Sequence, residues 1–114
     1  MRYILLLLSI LLVQTASAQK KAETVHIRTA IYCDHCKECE SCSERLEEAV
    51  YRVKGVRRFE LDEKSATIKV IFHPQKTNAV EIRKAIAAVG FDADDVKAFP
   101  EAYEQLDDCC KQSR

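Results

Sequence analysis

Two glycines are all that this chain of 114 residues contains, and each closes a stretch of helical periodicity. Ahead of Gly55, the residues Cys42, Leu46, Ala49, Val50 and Val53 recur at the spacing that lines up one buried stripe of a helix. Ahead of Gly90, Ile82, Ala85, Ile86 and Val89 repeat the pattern. A glycine just past the last periodic residue takes the left-handed conformation that ends helices. Ser41 with Glu44, and Asn78 with Glu81, supply a hydroxyl or amide cap followed by a glutamate, the start signal that satisfies orphan amides. The first helix is therefore expected to begin around Cys42.

Between and around these helices the period changes to two. From Thr24 to Tyr32, Val25, Ile27, Thr29 and Ile31 face one way and His26, Arg28 and Ala30 the other, which predicts a first strand. Val56 to Leu61 reads as a second strand, Asp62-Glu63-Lys64-Ser65 as a turn, and Ala66, Ile68, Val70 and Phe72 as the inward face of a third. The short connection makes the last two an antiparallel hairpin. A short fourth strand is expected around Asp95 to Ala98. Pro100 then suits the first position of a short helix running through about Leu106, before a polar tail with Cys109-Cys110. The order β-α-β-β-α-β predicts an α+β, ferredoxin-like sandwich, with two helices on one face of a four-stranded antiparallel sheet.

The amino-terminal segment reads differently. Arg2, an apolar run from Tyr3 to Val13 and then Ala16-Ser17-Ala18 form the pattern of a secretory signal peptide. That run is shorter than the ~20 residues of a membrane span. The expected organisation is a signal peptide over 1–18, one domain over 19–99, and a carboxy-terminal helix with its cysteine tail over 100–114. The processed chain is expected in the periplasm or outside the cell, and not to span the membrane. Basic and acidic residues balance over the whole sequence, so no patch for nucleic acid is implied. No acid–base or nucleophilic constellation is visible, and the reading is not that of an enzyme.

The chemistry lies in the cysteines. Cys33, Cys36, Cys39 and Cys42 stand in an unbroken C-x-x-C-x-x-C-x-x-C run that ends in the first turn of the predicted helix. Helix amino ends favour negative charge, so a thiolate at Cys42, with Cys39 close by, is favoured over the thiol. Thiolates suit soft ions such as Cu(I), Zn(II), Cd(II) and Hg(II). An exported chain meets oxidising conditions, so structural disulfides are the competing reading, in a thiol-redox or disulfide-stabilised binding module without metal. A ferredoxin cluster would continue C-x-x-x-C-P, whereas here the fourth cysteine comes one residue early and Ser43 follows it. A thioredoxin-like oxidoreductase also places C-x-x-C at a helix start, but on a different order of elements. His26 and His73 read as surface residues, while His35 sits within the loop as a further candidate donor.

These residues resemble the heavy-metal-associated domain of copper chaperones, periplasmic mercury-binding proteins and the amino-terminal modules of metal-pumping ATPases. The resemblance spans Thr24 to Ala98. It rests on Cys39-x-x-Cys42 with Leu46 four positions on, on Val53-Lys54-Gly55-Val56, and on Ala88-Val89-Gly90-Phe91-Asp92-Ala93. It implies a metal-binding carrier, chaperone or scavenger that holds its ion where strand one meets helix one. The partner would be a metal-transporting membrane protein or another metal-binding domain. Ala30-Ile31-Tyr32 stands before Cys33 where the family has Gly-Met-Thr, so the strand aligns with the first cysteine pair and the helix with the second. The implied ligand set is therefore Cys39 and Cys42, all four thiols of the run, or a mixture that recruits Cys109 and Cys110. The segment from Leu106 to Cys110 resembles the tail of exported bacterial relatives.

Overall fold

The computed structural model describes residues 21–31, 40–62, 64–107 and 110–111. The expected signal peptide, Tyr32 and most of the cysteine loop lie outside them. The elements run β1 (Glu23–Arg28), α1 (Glu40–Tyr51), β2 (Val56–Asp62), β3 (Thr67–Phe72), α2 (Ala79–Ala88) and α3 (Pro100–Glu104). β3 is central in a sheet of order β1-β3-β2, and both pairings are antiparallel.

The alternation along β3 sets the layers. Ile68, Val70 and Phe72 are buried, and they share one core with Ile27 of β1, Leu46 and Val50 of α1, and Ile82 and Ile86 of α2. Both helices thus cover the same face of the sheet. The other face is polar, with Lys69 and Arg58 flanking Glu60 at 3.7 and 2.8 Å. Phe59 and Leu61 register with Val70 and Ile68 and lean toward the core, while a bulge between Val56 and Arg58 absorbs Arg57. Tyr51, at the end of α1, accepts a hydrogen bond from the Phe59 amide at 3.1 Å and so occupies the outer edge of β2.

The ends of α2 follow the sequence signals closely. Asn78 caps α2 by accepting from the Glu81 amide at 3.0 Å. Gly55 and Gly90 have φ of +107° and +103°. At Gly55 a Cβ would stand 2.7 Å from that of Lys76, because the His73 amide reaches back to the Gly55 carbonyl at 2.8 Å. Of the stripe expected for α1, Cys42, Leu46, Ala49 and Val50 are buried, while Val53 falls beyond the helix and is half-buried; α2 buries Ile82, Ile86 and Ala87, with Ala85 and Val89 half-buried. Pro100 is in the first turn of α3, which ends at Glu104 rather than Leu106. In the hairpin turn the Asp62 carboxylate accepts from the amides of Lys64 and Ser65 at 3.1 and 3.4 Å. Hydrogen bonds from Ser65 and Lys64 hold that carboxyl below its usual range.

Four further expectations need correction. α1 begins at Glu40, so Ser41 lies inside the first turn and is not its N-cap. β1 ends at Arg28 instead of Tyr32, since its partner β3 begins only at Thr67. Ala66 is not a strand residue: its φ of +50° belongs to the turn, although the Thr29 amide still reaches its carbonyl at 2.9 Å.

The largest correction is the fourth strand. The described residues form three strands, and the stretch expected as β4 contributes one isolated bridge between Ala93 and Val96. Asp94, with φ +52°, turns the chain back on itself there. Its amide donates to the Arg28 carbonyl at 2.8 Å and its carboxylate accepts from the Arg28 amide at 2.8 Å. One residue thereby fills the edge position of β1 that a paired strand would have occupied.

Candidate metal centre

Cys42 is the first member of the apolar stripe of α1, one helical turn before Leu46. That position aims it at the core, and it is 3% exposed. It also stands in the first turn, where the helix amides leave partial positive charge.

The carboxy-terminal segment reaches the same place from the other direction. Beyond Gly90 the Ala98 amide donates to the Asp92 carboxylate at 2.9 Å, and the Phe99 amide to the Ala87 carbonyl at 3.0 Å. α3 then passes so near Gly90 that a Cβ there would meet the Ala102 carbonyl oxygen at 2.9 Å and Leu106 Cγ at 3.1 Å. Leu106 is buried, the Cys110 amide closes a turn onto the Asp107 carbonyl at 2.8 Å, and Lys111 Nζ donates to the Glu104 carbonyl at 2.9 Å. This strap sets Cys110 beside Cys42, also at 3% exposure, with the two Cα atoms 6.2 Å apart. The two sulfurs are joined in a disulfide that closes a separation of 68 residues.

Of the residues singled out in the sequence, the fold thus brings Cys42 and Cys110 together. Cys33, His35, Cys36, Cys39 and Cys109 lie outside the described residues, among which no group of three or more metal-donor side chains is found. In the bonded state Cys42 is not available as a thiolate. Phe91 is a core residue, 1% exposed. The specific pairing of Cys42 with Cys110 had one legible sign: Tyr103, Leu106 and Cys110 keep helical spacing through an otherwise polar tail.

A second group braces the strand that leads into the loop. Arg83 of α2 donates to Asp94 at 2.9 Å, so Asp94 joins the end of β1 to α2. Burial pushes the Asp94 carboxyl up, but the Arg28 amide and the Arg83 guanidinium outweigh it and hold it below the usual range. Sequence reasoning missed this group, whose partners are far apart along the chain.

The model of the heavy-metal-associated domain family matches residues 38–92. Over this stretch, just under half of its length, the chain is similar to a heavy-metal-associated domain. The matched stretch takes in Cys39 and Cys42 and leaves out Cys33, Cys36 and the whole strap. A 57-residue stretch is 44% identical to copper-transporting ATPase 1 of Mus musculus, covering 48% of this chain and 4% of that protein. Among solved structures, a copper-binding domain of a P-type ATPase superposes with a TM-score of 0.55 at 22% identity, over 62% of this chain and 89% of that one. The CopZ metallochaperone gives 0.53 at 18% identity, over 62% and 98%. Oxidised MerP from Ralstonia metallidurans CH34 gives 0.52 at 22%, over 63% and 93%. These three likenesses establish the fold of the domain. No helix among the described residues is long and apolar enough to cross a membrane.

Proposed function

We propose that this chain is an exported carrier or scavenger of a soft metal ion, which it binds as cargo in cysteine thiolates and hands on by thiolate exchange. The observation that carries the reading is that Cys39-x-x-Cys42 falls within the matched stretch of sequence, with Cys42 in the first turn of α1, one turn before the buried Leu46. Cys39 and Cys42 are the core ligands, and Cys33 and Cys36 are an entry pair or added ligands. The kinship with a copper-transporting ATPase puts Cu(I) first, with Zn(II), Cd(II) and Hg(II) of the same ligand preference. In transfer, an incoming thiolate bonds to the ion and one resident thiolate leaves, so the ion is never free. The donor or acceptor is another thiolate-bearing metal domain, of a transporter or a second carrier.

The Cys42–Cys110 bond favours a second reading, a disulfide-stabilised module that uses no metal. The two separate on the phosphine-reduced full chain, titrated with Cu(I) against a chromophoric chelator. A carrier takes up one ion per chain, and Cys39→Ser weakens uptake at least tenfold while the far-ultraviolet circular dichroism stays unchanged. No uptake by the reduced natural chain would leave the structural module as the better account.

A further inference from the structure

We propose that Cys42 and Cys110, once reduced, form a two-thiolate site for a soft monovalent ion such as Cu(I), built between the first turn of α1 and the carboxy-terminal strap. The inference deepens the carrier reading and rests on it. It adds a ligand from 18 residues beyond the end of the matched domain.

The fold itself brings the two sulfurs together. Leu106 is buried against Gly90, α3 is hydrogen-bonded back to α2 through Phe99 and Ala87, and Cys110 is held in its own turn by Asp107. These contacts involve neither sulfur and remain when the bond opens. With Cα atoms 6.2 Å apart and both residues 3% exposed, the reduced thiols stay opposed in a site shielded from water. Two opposed thiolates are the ligand set that Cu(I) accepts in linear geometry. The helix amino terminus offsets part of the negative charge of the pair.

The chemistry balances in two steps. A dithiol reductant gives two electrons and two protons to the disulfide, yielding Cys42 and Cys110 as thiols and the reductant as its own disulfide. Cu(I) then replaces the two thiol protons, leaving a bis-thiolate complex with one negative charge. While the disulfide is closed Cys42 has no thiolate to offer the ion, so the bonded and the loaded states exclude one another at this pair.

The test uses the full chain, reduced with a phosphine and titrated with Cu(I) against a competing chelator, with sulfur neighbours counted by X-ray absorption. Two variants are compared with the natural chain. In the first, Cys33, Cys36, Cys39 and Cys109 are all exchanged for serine, which leaves only the proposed pair; it is expected to hold one Cu(I) with two sulfur neighbours. In the second, Cys110→Ser alone, Cu(I) affinity is expected to fall at least tenfold; since the reduced natural chain also lacks the bond, the two start from equal footing. Unchanged affinity in Cys110→Ser, or failure of the first variant to hold Cu(I) with two sulfur neighbours, would overturn the inference while leaving the carrier reading intact. Failure of the reduced natural chain to take up Cu(I) would overturn both.

Discussion

Asp94 shows how much one side chain can settle. Its backbone sits in the left-handed region, its amide and carboxylate both engage Arg28, and its second oxygen takes the Arg83 guanidinium. Asn tolerates that backbone, so Asp94→Asn isolates the charge. At neutral pH it is expected to destabilise the fold by about 1–2 kcal/mol, the scale of a charge-assisted hydrogen bond at a partly exposed site. Because the folded carboxyl is held below its ordinary value of 3.8, its contribution is full above that pH and is lost as pH falls through the folded value. Urea denaturation at pH 7 and pH 3 checks this: the difference between Asp94→Asn and the natural chain should shrink at the lower pH. An equal difference at both would contradict it. Nothing in the local sequence announces Asp94, because its partners are 11 and 66 residues away.

At the scale of the element, legibility tracks local signals. α2 was readable because Asn78 caps it and Gly90 ends it; the third strand was readable from Ile68, Val70 and Phe72. The fourth strand was misread because Asp95 to Ala98 has suitable residues, whereas the left-handed Asp94 diverts the chain before pairing can extend. Gly90 also carries a second demand that a helix terminator does not explain, the close passage of α3 and Leu106. Gly90→Ala therefore faces both a left-handed φ and a backbone oxygen at 2.9 Å. It is expected to cost about 2–3 kcal/mol in chemical denaturation and to loosen the strap. Faster amide exchange at Leu106 and Cys110 than in the natural chain is the expected signature, and unchanged exchange there would count against the strap as a packed unit.

For the molecule as a whole, one core joins the sheet, both helices and the strap, and the Cys42–Cys110 bond ties its two ends. A cross-link over 68 residues restricts the unfolded chain strongly, so reduction is expected to lower stability by about 2–4 kcal/mol without unfolding it. Reversible urea curves with and without a phosphine measure that difference. The cysteine spacing points to the start of α1, where Cys42 lies, but it could not show that Cys42 meets Cys110, because that depends on a tail folding back across the helix end. Thiol titration with metal analysis, on the full chain reduced and then exposed to Cu(I), tests the central claim most directly. The account predicts one ion per chain, with thiols masked until a strong chelator removes it; metal-free protein with all six thiols reactive would contradict it.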